Sequence, residues 1–319
     1  MKKVINIATS LDTSTQTFLK TRSDKFDLIF HEIDDAVRDE KISKSCTGLW
    51  VTLFPFVNER LLQLLPNVSF VATPTTGLTH IDLKLLRRKQ IKLFSLKNQV
   101  NFLNDISATP EFTWGLMLNV WRKICLASKD FHGDTNIRTQ FASRQLKGLS
   151  VGIIGYGRVG RYLARYGQVF GMNVNYFDPY LELHHSDTYA QRYERLSELL
   201  RVSDVVFMTA SVSSVDTLPI LNSHEIDFIK KGAVVINTAR GVLVDESALA
   251  RKLELGHIYG IGVDVLRREE LNYQSSHPSE LEILRDRGFN IVITPHIAGM
   301  CHDAFLKCCA NILMQIENS

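Results

Sequence analysis

Arg240, Asp264, Glu269 and His296 are the side chains whose types and order along the chain point to chemistry. Arg240 follows the apolar run 233–236, Asp264 closes the run 259–263, and His296 follows the run 290–293. Each run reads as a short buried strand. Parallel strands of one sheet present their carboxyl ends along one edge, so residues placed there converge. Arginine carries a permanent charge and grips a carboxylate in bidentate fashion. Histidine moves a proton near neutral pH. A carboxylate beside it orients the imidazole and favours its protonated form. That combination suits hydride transfer at a carbon bearing oxygen. Each residue also has a plainer reading. Arg240 could be a surface cation, Glu269 half of the acidic pair Glu269-Glu270, and His296 one of ten histidines that pack or face solvent.

The element that must position them is the stretch 150–179, SVGIIGYGRVGRYLARYGQVFGMNVNYFDP. A strand-like run, 151–154, leads into Gly155, Gly157 and Gly160 and then into a helix-forming segment. A second β-branched run around Val174 ends on Asp178. This is the order of a dinucleotide site. Gly155 permits the tight turn, Gly157 lets the backbone approach a pyrophosphate, and Gly160 allows close helix–strand packing. The helix N-terminus offers unpaired N–H groups and a partial positive charge to the phosphates. Asp178 falls about 20 residues beyond the glycines, where an acid accepts from the ribose hydroxyls and repels a 2′-phosphate. Pro179 and Tyr180 follow, with no arginine adjacent to welcome that phosphate, so NAD is favoured over NADP.

Residues 1 to about 100 alternate strand-like runs (4–8, 28–30, 49–53, 68–72, 91–94) with helix-forming stretches such as 58–65 and 82–88. That alternation argues a second, smaller parallel sheet with helices on both faces. The loop 76–82 lies at the carboxyl end of the run 68–72, where N–H groups around Gly77 could hold a carboxylate or form a plain turn. Further on, Thr109 reads as a helix cap, with Pro110 in the first helical position and Glu111 in the first turn. Trp114, Met117, Val120, Trp121 and Ile124 recur at helical spacing and read as core.

The bulk numbers agree with a soluble two-domain protein: 319 residues, 45% apolar and 22% charged. A formal charge of +3 without clustered Lys and Arg predicts neither a nucleic-acid nor a membrane partner. The five cysteines form no CxxC pair and read as reduced thiols, and no metal site is predicted. The opening MKKVINIATS holds too short an apolar run for a secretory signal, and no run approaches the ~20 apolar residues of a membrane span. A cytoplasmic protein is the expectation.

The motifs TGLTHIDL (76–83), ISATPEFTWGLML (106–118), GIIGYGRVGRYLARYGQVFGMNVNYFDPY (152–180), NTARGVLVDESAL (237–249), GVDV (262–265) and TPHIAG (294–299) resemble those of one family, in family order. It is the D-isomer-specific 2-hydroxyacid dehydrogenase family, in the branch resembling 3-phosphoglycerate dehydrogenases without their regulatory domain. The resemblance covers nearly the whole chain. It implies an α/β fold of two Rossmann-like parallel-sheet domains, with an NAD domain (103–299) inserted into a flavodoxin-like substrate domain (1–102 plus 300–319) and a cleft between them. It places the catalytic roles on Arg240, Glu269 and His296. Substrate binding falls on the amides of Gly77 and Leu78, with Arg240. Cofactor-contacting positions fall on Thr76, Thr109, Arg158, Val159, Asp178, Ser211, Thr238, Ala239 and Asp264, besides the three glycines. A homodimer is the family expectation.

The chain departs from the family pattern at several places. Glu270 stands where proline commonly follows the catalytic glutamate, which leaves Glu269 and Glu270 as rival partners of His296. The family's H-x-P-x-T stretch reads Ala210-Ser211-Val212-Ser213-Ser214, and Thr79 stands where aspartate is frequent. Two functions follow from these motifs. One is interconversion of a D-2-hydroxy acid and its 2-oxo acid, of which 3-phosphoglycerate is one candidate. The other is an NAD-responsive binding protein, resembling corepressors of the same fold, with little or no turnover.

Overall fold

The computed structural model describes residues 2–133, 135–181, 189–212, 218–270 and 277–319. The chain divides into two compact units, Met1–Ile106 with Met300–Ser319, and Ser107–Gly299.

The first unit holds five parallel strands: β1 (Lys3–Thr9), β2 (Phe26–Glu32), β3 (Gly48–Trp50), β4 (Phe70–Ala72) and β5 (Lys92–Phe94). Their order, β2-β1-β3-β4-β5, is flavodoxin-like. Ala8, Leu49, Val51 and Val71 are fully buried in its core. The helices Glu59–Leu64 and Leu83–Arg88 start where a short polar side chain accepts an orphan amide. Asn58 takes the Leu61 N–H at 3.0 Å, and Asp82 takes the Leu85 N–H at 2.9 Å. Strand β3 is shorter than the run 49–53 suggests. From Thr52 onward the amide turns to the Ser10 hydroxyl, at 3.1 Å, instead of a strand neighbour. The last helix, His302–Glu317, returns to this unit. There the Glu317 carboxylate accepts from Ser23 Oγ at 2.9 Å and from the Asp24 N–H at 2.8 Å.

Among the described residues, the second unit holds seven parallel strands: β6 (Ser150–Ile154), β7 (Asn173–Phe177), β8 (Gln191–Arg192), β9 (Val205–Met208), β10 (Val234–Asn237), β11 (Gly260–Val263) and β12 (Ile291–Ile293). They run in the order β12-β11-β10-β9-β6-β7-β8. This is the doubly wound dinucleotide-binding order with one added strand, and its direction reverses between β6 and β9. Strand β8 has no counterpart in the sequence reading, because two polar residues carry no apolar period. Side chains alternate faces along each strand. Val205 and Phe207 pack with Trp114, Met117, Val120 and Trp121 on one face. Val206 and Met208 pack with Leu199, Leu249, Leu253 and Leu281 on the other. The helix carrying Trp114 spans Ala108–Arg122 with Ser107 at its cap, so Thr109 is not the capping residue. Pro110 is the third helical residue. Its missing N–H falls within the first turn, where amides have no intrahelical acceptor, so the helix begins two residues earlier at no hydrogen-bond cost.

Candidate active site

At the reversal point, β6 ends on Ile154 and the chain turns at Gly155, whose φ is +90°. A Cβ there would lie 2.5 Å from Ala210 Cα, in the loop after β9. Only glycine fits both the dihedral and the space. The Gly155 N–H donates to the Phe177 carbonyl at 2.9 Å, tying the turn to the end of β7. A Cβ on Gly160 would lie 2.6 Å from the Gly155 carbonyl, whereas nothing lies within 4 Å of one on Gly157. Helix Arg158–Val169 starts at Gly157, which offers no side-chain cap, and Val159 and Gly160 lie in its first turn. Open backbone N–H groups at the positive end of a helix dipole fit a pyrophosphate.

Asp178 follows β7. Its Oδ2 accepts the Tyr156 N–H at 2.8 Å and its Oδ1 the Tyr180 N–H at 3.0 Å. These bonds lock the carboxylate to the glycine turn. A carboxylate offers about four acceptor sites, so two remain for a ribose diol. The residues present therefore fit a dinucleotide, and the fixed negative charge fits NAD better than a 2′-phosphorylated cofactor.

A second corner lies at the carboxyl ends of β10, β11 and β12. Asp264, just after β11, is fully buried. Its Oδ1 accepts Thr294 Oγ1 at 2.6 Å and the Ile297 N–H at 2.9 Å, and its Oδ2 accepts the Ala298 N–H at 2.8 Å. Its backbone carbonyl accepts the His296 N–H at 2.9 Å. Burial pushes the Asp264 carboxyl upward from its ordinary value, against the hydroxyl and two amides that hold it down. The turn 294–298 is thus wrapped around one carboxylate. This wrapping holds His296 at φ +56°, a left-handed conformation that costs a non-glycine residue about 1–2 kcal/mol.

His296 Nδ1 lies 2.9 Å from Glu269 Oε2. Glu269 Oε1 accepts the Leu266 N–H at 2.9 Å, which fixes the carboxylate from behind. The side chains are 25% exposed for His296 and 10% for Glu269, so the imidazole reaches solvent while its partner does not. A carboxylate opposite Nδ1 accepts from it, which favours the tautomer with its proton on that nitrogen. Glu269, not Glu270, makes this contact; the side chain of Glu270 lies outside the described residues.

Arg240 follows β10 and is half-buried. Asn237 Nδ2 donates to its carbonyl at 2.9 Å, and its Nη1 donates to the Ala239 carbonyl at 2.6 Å. Thr238 is buried, its hydroxyl bonded to that of Thr113 at 2.7 Å. Ala239 is half-buried, and its amide donates to Asn237 Oδ1 at 3.0 Å. Thr109 Oγ1 lies 3.8 Å from where a Gly299 Cβ would be, beside the end of the His296 turn. Ser211 is exposed in the loop after β9, and Ser213 and Ser214 lie outside the described residues. Thr294 was missed from sequence as a site residue; a hydroxyl two positions before the histidine was the available signal.

In the first unit, Thr76 is exposed, Gly77 half-buried and Leu78 buried. Thr75 Oγ1 donates to the Gly77 carbonyl at 2.9 Å and lies 3.0 Å from Thr73 Oγ1, so hydroxyls brace this loop. All five cysteines are free thiols. Among the described residues no cluster could hold a metal ion, and no helix is long and apolar enough to cross a membrane.

A doubly wound sheet, an open phosphate turn and a histidine–carboxylate pair on neighbouring strand ends define an NAD-binding dehydrogenase. Residues 114–298 match the D-isomer specific 2-hydroxyacid dehydrogenase NAD binding domain, and residues 5–101 match the catalytic domain of the same family. The chain belongs to that family. Glycerate dehydrogenase of Methylorubrum extorquens is 29% identical over 313 residues, 95% of this chain and 91% of that protein. D-3-phosphoglycerate dehydrogenase of Bacillus subtilis is 28% identical over 82% of this chain and 47% of its own length. The crystal structure of Aquifex aeolicus D-lactate dehydrogenase, complexed with NAD and lactic acid, superposes with a TM-score of 0.79 at 24% identity, covering 98% of this chain and 94% of that one.

Proposed function

We propose that the protein interconverts a small D-2-hydroxy acid and its 2-oxo acid, with His296 as the acid–base residue. The observation that carries this reading is the 2.9 Å contact between His296 Nδ1 and Glu269 Oε2 on the strand edge of the NAD-binding domain. NADH, when bound, supplies the hydride that C2 of the oxo acid receives. His296, protonated on both nitrogens, gives its Nε2 proton to the carbonyl oxygen, and in the oxidative direction takes it back. Glu269 fixes the ring and stabilises the imidazolium. Arg240 holds the substrate carboxylate and polarises the carbonyl. In the other unit, the Gly77 and Leu78 amides are the proposed donors to that carboxylate, with Thr76 near the cofactor. Around the cofactor, Thr109, Ser211, Thr238 and Ala239 complete the proposed contacts.

Glycerate and 3-phosphoglycerate are the proposed substrate class. They are supported by relatives of those activities at nearly equal identity, 29% and 28%. We further propose a cytoplasmic homodimer. The reducing compartment is supported by five free thiols. Self-association is supported by the helix Ile124–Asp130, which buries none of its side chains, and by exposed Ile124 and Phe131. The test of function is NADH oxidation against glyoxylate, hydroxypyruvate, pyruvate and 3-phosphohydroxypyruvate. Turnover of at least one is expected; a folded protein that binds NADH and reduces none overturns the reading.

A further inference from the structure

Glu246 opens the helix Glu246–Glu254, which Asp245 caps through the Ala248 N–H at 2.9 Å. The Glu246 side chain is not part of that cap. Its Oε1 accepts the Arg267 N–H at 2.6 Å. Arg267 begins the short helix Arg267–Glu270 that carries Glu269. Two carboxylates therefore hold successive amides of one segment: Glu269 takes Leu266 and Glu246 takes Arg267. The same segment presses on Gly241, the residue after Arg240. A Cβ on Gly241 would lie 2.2 Å from both Leu266 C and Arg267 N. The turn from Arg240 to Val244 closes through the Val244 N–H donating to the Gly241 carbonyl at 3.2 Å. So the stretch 240–246 grips the segment bearing Glu269 at two points, one by backbone contact and one by a carboxylate.

We propose that Glu246 is a positioning residue for the reaction, holding the segment 266–269 against the Arg240 turn so that Glu269 stays on His296. This rests on the reading of His296 and Glu269 as the acid–base pair. The groups facing Glu246 are the like charges Glu280 and Glu269 and the opposite charge of Arg267. Glu280 also accepts from Ser247 Oγ at 2.9 Å, and the neighbouring Arg268 pairs with Glu282 at 2.7 Å. Burial, more than these neighbours, pushes the Glu246 carboxyl up to about 7. A carboxylate is a stronger acceptor for an N–H than a neutral carboxyl. The grip on Arg267 therefore tightens as the pH rises through that value.

The test compares wild type, Glu246→Gln and Glu246→Ala. One readout is the pH profile of kcat and KM with the preferred 2-oxo acid. The other is the NMR titration of the His296 ring in the cofactor-free protein, with the resonance assigned by its loss in His296→Gln. Glu246→Ala is expected to lower kcat about 10-fold while leaving NADH affinity unchanged. The kcat profile of wild type is expected to carry an inflection near pH 7 that Glu246→Gln loses, and the His296 ring titrations of the two proteins are expected to differ. Superimposable ring titrations of wild type and Glu246→Gln overturn the proposal, as does an undiminished kcat in Glu246→Ala. If Glu246→Ala does not fold, the near-isosteric Gln variant carries the comparison. If wild type turns over no 2-oxo acid, the functional reading fails, and the ring titration still decides the role of Glu246.

Discussion

The proposed phosphate turn and the proposed acid–base corner occupy the same edge of one parallel sheet, yet they are built in opposite ways. At the turn after β6, helix Arg158–Val169 starts at a glycine that offers its first-turn N–H groups no side-chain cap. At the corner after β10, β11 and β12, carboxylates close onto backbone N–H groups. Asp264 takes Ile297 and Ala298, Glu269 takes Leu266, and Glu246 takes Arg267. An array of free amides is an anion site and needs nothing but glycine. A proton-transfer site, as proposed here, needs a ring held in one orientation, and two buried acids and the half-buried Glu246 fix the turns around it. In the proposed reading, the same topology serves binding where a glycine starts the helix uncapped by a side chain and proton transfer where carboxylates fix the turns.

The sharpest way to separate the two regions is His296→Gln. It removes proton transfer and leaves the phosphate turn intact, so kcat should fall by about 10²- to 10⁴-fold with NADH affinity, followed by fluorescence, unchanged. Parallel loss of both would mean the regions are not separable.

The next effect is on stability. The Glu246 carboxyl rises from its ordinary value of 4.5 to about 7 in the folded protein. Between those values the unfolded chain is ionised and the folded one is not. The folded state therefore loses stability as pH rises through this window, by at most about 3 kcal/mol from this group. Asp264, also raised, acts in the same direction. Urea midpoints across the window should fall with pH in wild type and fall less in Glu246→Gln. Equal slopes in the two proteins would remove Glu246 as the source.

Glycine substitutions dissect the open turn. Gly155→Ala meets a positive φ and the Ala210 backbone, and should cost about 1–3 kcal/mol in thermal unfolding as well as NADH binding. Gly157→Ala has open space around its Cβ and should spare stability while weakening NADH binding. If Gly157→Ala bound NADH normally, the pyrophosphate would not approach there. The smallest effect is that of Asp178→Ala, a loss of about 1 kcal/mol in NADH affinity with a narrowed preference over NADPH. An unchanged ratio of the two affinities would remove Asp178 as the discriminator.

Features that depend on local pattern were readable along the chain. The glycine spacing at 155, 157 and 160 reports a turn whose geometry is set within six residues. The apolar runs before Arg240, Asp264 and His296 report strands, because buried parallel strands are apolar on both faces. Local reading failed where neighbours compete. Thr109 and Ser107 are both acceptable cap types, and the helix starts at Ala108, with Ala108 and Pro110 buried. Glu246 gave no signal, since an acid in the first turn of a helix is ordinary helix chemistry.

Sequence alone determined the order of strands and turns, the dinucleotide fingerprint and the identity of the candidate acid and base. Only the tertiary structure decided which carboxylate meets His296 and what Asp264 does. Those contacts join residues 27 and 34 positions apart. They depend on the register of β11 against β12, which sets Val263 beside Ile293 and so brings Asp264 level with the turn that follows. No local pattern encodes that register; it follows from burying both strands between the two helical layers of the sheet.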